Sequence, residues 1–119
     1  MLGLLLGWAA SSPSADVATG APAAVPADLI GMAVSDAARR LGIARNDVKL
    51  VAADAVVWPD GSLGCPQPGM MYAQALVPGY RILLRASGQE LNYHASKKGG
   101  PTFCPAERVA PPLARGSAE

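Results

Sequence analysis

The first regular pattern along the chain is that of an amphipathic helix. Apolar residues recur at intervals of three and four after Asp28, which places them on one stripe of a helix. Asp28 is suited to cap the amino terminus, and Gly42 can adopt the left-handed conformation that ends a helix. Arg39 and Arg40 fall in the last turn, where the helix dipole favours cations. The pattern predicts a helix over residues 29–41. Its apolar stripe consists of Ile30, Val34, Ala37, Ala38 and Leu41.

The remainder of the patterned region is typical of strands separated by turns. Apolar and basic side chains alternate from Tyr80 to Ala86, so that tyrosine, isoleucine and leucine share one face of the strand. Leu91 and Tyr93 repeat this alternation after the turn formed by Ser87-Gly88. We predict strands over residues 48–58, 71–77, 80–86, 90–94 and 102–104. Turns are predicted at residues 59–61, 78–79, 87–88 and 99–101. The predicted fold class is α+β, with one N-terminal helix packed on a small antiparallel meander sheet.

The two ends of the chain lack the periodic pattern of a folded domain. Leu2–Ala10 is an apolar run that is too short to span a bilayer, and it resembles the core of a secretory signal. We interpret residues 1–27 as a signal-like segment and flexible linker, 28–105 as a single domain, and 106–119 as a disordered tail. We therefore expect a secreted or periplasmic protein without a stable membrane span. The alternative is that the start of the chain is misassigned and that the apolar run is not an export signal.

Composition and charge exclude one large class of function. The chain has 119 residues and a formal net charge of +1, and its basic residues are scattered. Such a chain has no concentrated positive field, so we exclude nucleic acid as a partner. A domain of this size buries only about 60–65% of the surface that its unfolded chain exposes, so its stability is marginal without a covalent link.

The cysteine count supplies a candidate for that link. Cys65 and Cys104 are the only cysteines. An even number in a small exported domain favours a disulfide, and closing so long a loop stabilises the fold by about 4 kcal/mol in the chain-entropy model. Free thiols in a reducing compartment, or two metal ligands, are the alternatives that the sequence leaves open.

His94, the only histidine, raises two chemical alternatives. With Cys65 it could form a thiol nucleophile and its base, but this requires a reduced thiol and a third, orienting group that nothing marks. Met70 and Met71, together with the cysteines, are soft ligands of the kind that bind Cu(I), although neighbouring residues on a strand face opposite ways. We expect a half-exposed strand histidine, and we predict no enzyme activity, no catalytic residue, no cofactor and no metal site.

One continuous stretch resembles a known group of domains. Residues 58–72 read W-P-D-G-S-L-G-C-P-x-P-G-M-x-Y, and V-P-G-Y-R follows at residues 77–81. This string resembles small exported bacterial domains of unknown function that share the tryptophan–glycine–cysteine loop, over about residues 29–104. The resemblance implies no established activity, so no catalytic residue is carried over. At the level of the fold, a helix followed by a meander is similar to PepSY-type domains, which are linked with protease propeptides and protease inhibition.

The loop over residues 59–72 is the main candidate for function. It is long for a connection between strands, and long ordered loops tend to be functional. Prolines stiffen this loop and Cys65 fixes its middle, so it would lose little entropy on binding a partner. The predicted contact residues are Trp58, Leu63, Gln67, Met70 and Tyr72. For Trp58 the sequence favours a second interpretation, as a core residue at the end of the sheet.

These features together predict an exported binding or inhibitory module that acts through residues 59–72. The expected partner is another exported protein, and a protease is one class that fits. The oligomeric state is left open. The alternative function is a structural or accessory domain without a ligand, and a Cu(I)-handling protein is a lesser alternative.

Overall fold

The computed structural model describes residues 24–115, and within them it shows the predicted α+β fold. One helix packs on an antiparallel meander of four strands, and a short fifth strand lies at one edge. The elements are α1 (Ala27–Leu41), β1 (Lys49–Trp58), β2 (Val77–Ala86), β3 (Gln89–Ser96), β4 (Thr102–Cys104) and β5 (Ala114–Arg115). Single turns of 3-10 helix occupy Arg45–Asp47 and Ala106–Arg108. No helix in residues 24–115 is long and apolar enough to cross a membrane.

Helix α1 ends as predicted but begins differently. Gly42 follows it in the left-handed conformation, with φ at 65°. The residue that precedes the helix is Pro26, which makes no side-chain capping bond, so the prediction of Asp28 as the N-cap was wrong. Asp28 lies in the first turn, where its carboxylate still interacts favourably with the helix dipole. The carbonyl oxygen of Pro26 accepts hydrogen bonds from the backbone N–H groups of Leu29 and Ile30, at 3.1 and 3.2 Å.

A polar link joins α1 to the sheet. The Tyr93 hydroxyl on β3 donates to Asp36 Oδ2 at 2.6 Å, and Arg40 Nε donates to the same oxygen at 2.6 Å. Burial raises the pKa of Asp36, but the hydrogen bonds from Tyr93, Arg40 and Arg39 outweigh this and hold that pKa below its ordinary value. Arg40 also lies 4.1 Å above the ring of Phe103 on β4. The helix is therefore fixed to β3 and β4 by charge as well as by apolar contact.

The sheet has the order β4-β3-β2-β1-β5. The pairing of β1 with β2 runs from Lys49 opposite Arg85 to Trp58 opposite Val77, with an irregularity between Leu50 and Ala52. Strand β5 pairs only with the far end of β1. The predicted alternation is confirmed, because Tyr80, Ile82 and Leu84 on β2 and Leu91 and Tyr93 on β3 are all buried.

The segment before β2 departs from the prediction. Residues 71–77 were expected to form a strand and Pro78-Gly79 a turn, but residues 70–76 are irregular and β2 begins at Val77. Both predictions were wrong for one reason. The partner backbone of β1 is already used by β2, whose Pro78 pairs with Val57 and whose Gly79 pairs with Val56. Residues 70–76 therefore cannot pair with this edge of β1.

The sheet has an apolar core on its helix face and a smaller buried region on its other face. The apolar core on the helix face contains α1 and the inward residues of β1, β2 and β3. Because side chains alternate along a strand, Val56, Trp58, His94 and Cys104 point to the opposite face, where all four are also buried. The cover on that face is formed by the loop after β1 and by the chain after β4.

The chain after β4 returns to the sheet. Residues 106–119 were expected to be a disordered tail, and within them the structure has a turn of 3-10 helix at Ala106–Arg108 and strand β5 at Ala114–Arg115. Ala110 N donates to Gly64 O at 2.8 Å, and Leu113 N donates to Val57 O at 2.8 Å, which leads into β5. The Pro-rich composition suggested disorder, but proline is also tolerated beside a sheet edge, where no donor is required. The predicted signal-like segment and most of the predicted linker lie outside the described residues.

Candidate functional site

The Cys65–Cys104 disulfide is present, with a Cα–Cα distance of 5.8 Å, as the sequence predicts. It joins the loop between β1 and β2 to the last residue of β4. We refer to residues 59–72 as the clamped loop. Both sulfur atoms are used in this bond, so neither the thiol–histidine pair nor the Cu(I) site considered from the sequence has a free cysteine. Residues 24–115 contain no group of three or more histidine, cysteine, aspartate or glutamate side chains placed to hold a metal ion.

The first half of the clamped loop is a tight turn held by its own polar groups. Asp60 Oδ1 accepts from the Ser62 backbone N at 2.8 Å and from the Ser62 hydroxyl at 2.6 Å. These hydrogen bonds lower the pKa of Asp60. Leu63 and Gly64 then take positive φ angles of 55° and 72°. A positive φ is uncommon for leucine, so tertiary contacts must hold Leu63 in this conformation.

This turn packs on the side chain of Trp58. Its side chain is completely buried, and its Nε1 donates to Ala95 O at 3.1 Å. A Cβ on Gly64 would lie 2.3 Å from Trp58 Cζ3, which no real contact allows. Glycine at position 64 therefore lets the backbone rest directly on the indole ring. This supports the interpretation of Trp58 as core, and it removes Trp58 from the surface that a partner can contact.

The ring of His94 also lies beneath the turn, and the sequence did not predict its burial. We expected a half-exposed ring, but the residue is 2% exposed and its ring stacks on Trp58 at a centroid distance of 4.4 Å. Its Nδ1 lies 2.7 Å from Leu63 O. Because a carbonyl oxygen only accepts, Nδ1 must carry the proton. Burial lowers the pKa of His94, the hydrogen bond to Leu63 opposes this, and the charge of Arg81 lowers it further.

This environment gives stability a defined pH dependence. The pKa of His94 is lower in the folded protein than the value of about 6.5 expected in the unfolded chain. The unfolded state therefore binds more protons between these two values, so stability is full above about pH 6.5 and is lost as the pH falls toward the folded pKa. We expect the free energy of unfolding, measured by urea titration, to fall between pH 7 and pH 5. His94→Gln should flatten the profile over this window, since the chain has no other histidine. An unchanged slope in that variant would contradict the prediction. The contribution of Asp36 is lost only at lower pH, below about pH 4.

The second half of the clamped loop faces solvent. Met70 is 58% exposed and Met71 is 94% exposed. Gln67 is exposed as well, and its backbone N donates to the Tyr72 hydroxyl at 3.0 Å, which closes the loop on itself. Tyr72 is half-buried. The exposed apolar surface of this region therefore consists mainly of the two methionines, and it continues to Leu76, which is 61% exposed.

The structure thus divides the five predicted contact residues between the two sides of the loop. Gln67 and Met70 are on the outer side, and Tyr72 supports it. Trp58 is in the core, and Leu63 contributes chiefly its carbonyl group to His94. Met71 was not among the predicted contact residues, and residues 71–77 were expected to form a strand. Without that strand, Met71 is the most exposed large apolar side chain found in residues 24–115.

Fold and site together define a small α+β domain in which one disulfide holds a loop against the second face of the sheet. The chain belongs to the family described as Domain of unknown function (DUF8738), whose model matches residues 30–104. The matched region covers nearly all of α1, strands β1 to β4 and the entire clamped loop. No curated protein and no solved structure matches the chain.

Proposed function

We propose that the protein is an exported binding or inhibitory module that recognises another exported protein through the outer side of the clamped loop. The observation that carries this proposal is the pairing of a fixed inner side with an apolar outer side. Leu63, Gly64 and Cys65 are held on the sheet by hydrogen bond, contact and disulfide, while Met70 and Met71 project into solvent.

A loop that is ordered before binding favours affinity. Ordering a flexible loop costs about 1–2 kcal/mol of backbone entropy per residue, and this cost is subtracted from the affinity when ordering occurs on binding. In this protein the disulfide and the packing of the loop on Trp58 order the loop during folding. Exposed methionines are common on binding surfaces, because their unbranched side chains adapt to the shape of a partner. Two of them on one rigid loop supply apolar contact area at a small entropic cost.

The sequence of the loop also restricts the kind of protease that it would fit. Residues 59–76 contain no lysine or arginine. A protease whose primary pocket is acidic would find no complementary side chain there, whereas a protease with an apolar pocket would find Met70, Met71 or Leu76. Among proteases, we therefore expect inhibition of enzymes that cleave after large apolar residues and no inhibition of trypsin-like enzymes.

A structural or accessory role is the second candidate, and the inner side of the loop favours it. Gly64, Trp58 and His94 pack together in a way that would be required for folding whether or not a ligand exists. A structural role accounts for the disulfide and for the burial of Trp58 and His94 beneath the loop. It gives no reason for Met71 to be 94% exposed, which is why we place it second.

The experiment compares two methionines on opposite faces of the domain. Met71→Asp changes the outer side of the loop, and Met32→Asp makes the same change on α1, where Met32 is 49% exposed. Both variants should keep the melting temperature of the original protein within a few degrees, because neither side chain is buried. Inhibition constants are then measured against subtilisin, chymotrypsin, trypsin and a metalloprotease. The original protein and both variants are also used to capture proteins from the periplasm and culture supernatant, and the captured proteins are then identified.

We expect Met71→Asp to weaken binding more than about tenfold, because a charge replaces an apolar anchor, and we expect Met32→Asp to leave it unchanged. Equal binding by both variants would show that the outer side of the loop is not the recognition surface. If no protease is inhibited and no captured protein discriminates between the variants, the structural role is the correct one.

A further inference from the structure

The sulfur atoms of the folded domain differ in their access to an oxidant. Both cysteines are in the Cys65–Cys104 disulfide, so residues 24–115 contain no thiol. The other sulfur atoms in this part of the chain belong to Met32, Met70 and Met71, none of which is in the core. Met71 is 94% exposed, Met70 58% and Met32 49%. An oxidant that transfers oxygen to sulfur therefore meets its most accessible target on the clamped loop.

A tight turn fixes the backbone on which Met71 is exposed. Met70 N donates to Gln67 O at 3.1 Å, and the intervening Gly69 has a φ of 81°. A proline followed by a glycine with positive φ, as found between these two residues, is the pattern of a type II turn. The Tyr72 hydroxyl accepts from Gln67 N at 3.0 Å. Both neighbours of Met71 are thus bonded to Gln67, and the loop holds the Met71 side chain in solvent.

We propose that Met71 is the site at which a peroxide oxidises this protein, and that its sulfoxide makes the outer side of the clamped loop polar while the domain stays folded. In this reaction a sulfur lone pair attacks one oxygen of hydrogen peroxide, and the O–O bond breaks as the S–O bond forms. The proton on the transferred oxygen passes to the departing hydroxide, which leaves as water. The thioether is oxidised to a sulfoxide and the peroxide is reduced to water.

The product differs from methionine in the property on which the proposed binding surface depends. A sulfoxide is polar, so its burial in an apolar pocket of a partner costs free energy unless it finds a hydrogen bond there. Within the domain there is no such cost, because the Met71 side chain is already in water. Oxidation should therefore weaken recognition and leave stability unchanged. The effect on recognition rests on the proposed function, whereas the site of oxidation and the retained fold do not.

The site is tested with the full-length, disulfide-bonded protein in dilute hydrogen peroxide. Mass spectrometry of peptides taken at successive times measures the oxidised fraction of Met32, Met70 and Met71, and fragment ions separate the two neighbours. We expect Met71 to be oxidised first, at least about twofold faster than Met32, because oxidation follows exposure. Protein oxidised at Met71 should keep its melting temperature within a few degrees. The proposal is overturned if Met32 or Met70 is oxidised as fast as Met71, or if oxidation of Met71 unfolds the domain.

Chromatography on a phenyl column measures the change in the loop surface without any partner. Peroxide treatment that oxidises Met71 alone should make the original protein elute earlier, because a polar sulfoxide replaces an apolar side chain. Met71→Leu keeps an apolar side chain of similar volume that peroxide does not oxidise, so the same treatment should leave its elution unchanged. Unchanged elution of the original protein after oxidation of Met71 would contradict the proposal.

Inhibition of subtilisin and chymotrypsin by the same samples separates this inference from the proposed function. If Met71→Asp weakens inhibition, oxidation of Met71 should weaken it as well, and Met71→Leu should resist the peroxide. Equal inhibition before and after oxidation would then overturn the inference and leave the proposed function intact. If Met71→Asp inhibits and binds like the original protein, the proposed function fails, and the oxidation rates and the phenyl column still decide the inference.

Discussion

Removal of the disulfide by the double substitution Cys65→Ser/Cys104→Ser is expected to lower the free energy of unfolding by about 4 kcal/mol. The bond spans 39 positions, so it removes a large amount of conformational freedom from the unfolded chain. The total stability of a domain of this size is about 5–15 kcal/mol, so the loss is a large fraction of it. The folded state loses stability as well, because the disulfide holds the loop over Trp58 and His94.

Urea titration of the oxidised protein and of the double variant measures this loss directly. Reduction of the original protein should reproduce the effect, whereas the double variant should not respond to reductant. A difference below about 1 kcal/mol would mean that the hydrogen bonds of the loop, including that from Ala110 N to Gly64 O, are sufficient to hold it.

Gly79→Ala is expected to destabilise the protein by about 2–4 kcal/mol although it adds a single methyl group. A Cβ at this position would lie 2.0 Å from Ala95 O and 2.9 Å from Trp58 Nε1. The methyl group must push β3 away from β2 or displace the indole ring, and either movement breaks the Trp58–Ala95 hydrogen bond. Overpacking of this kind costs about 1–3 kcal/mol, and the lost hydrogen bond adds about 1 kcal/mol.

Gly100→Ala is the matched control for this substitution. No atom lies within 4 Å of a Cβ at Gly100, and its φ lies outside the left-handed range. We therefore expect a change within about 0.5 kcal/mol, or a slight stabilisation because alanine restricts the unfolded chain. Equal effects of the two substitutions on the urea midpoint would show that Gly79 is not held between Ala95 and Trp58.

Local patterns in the sequence predicted the elements that depend on local physics. The apolar stripe of α1, the left-handed Gly42 and the alternation of Tyr80, Ile82 and Leu84 were confirmed, because each depends on a few neighbouring residues. The disulfide was confirmed as well. Its prediction was based on the even number of cysteines, the expected export and the marginal size of the core.

The errors at Pro78-Gly79 and His94 arise from tertiary contacts, which local patterns in the sequence do not reveal. Pro78-Gly79 is a turn signal by composition, but in the structure it is the first part of β2, and Gly79 is needed there because Trp58 and Ala95 leave no room for a side chain. His94 was expected to be half-exposed because alternation on β3 turns it away from the helix. His94 lies on the second face of the sheet. The residues that cover it there, around Leu63 and Ala110, are distant from it in the sequence. No local pattern indicates such a face.

The candidate site was predictable in outline only. The length of the loop, its prolines and Cys65 predicted a loop that is fixed at its middle, and the disulfide holds it there. The division into an inner and an outer side depends on which residues contact Trp58, and this is a tertiary property. Met71 was missed for the same reason, because its exposure follows from the absence of a partner strand for residues 70–76.

We expect the clamped loop to be held in one conformation before any partner binds. Backbone ¹⁵N relaxation of the free, oxidised protein measures this most directly. We predict order parameters for the backbone N–H groups from Asp60 to Tyr72 of about 0.85, close to those of β2 and β3, and a marked decrease after reduction of the disulfide. Order parameters below about 0.6 over this loop in the oxidised protein would contradict the claim, because a loop that moves on this timescale is not preorganised for binding.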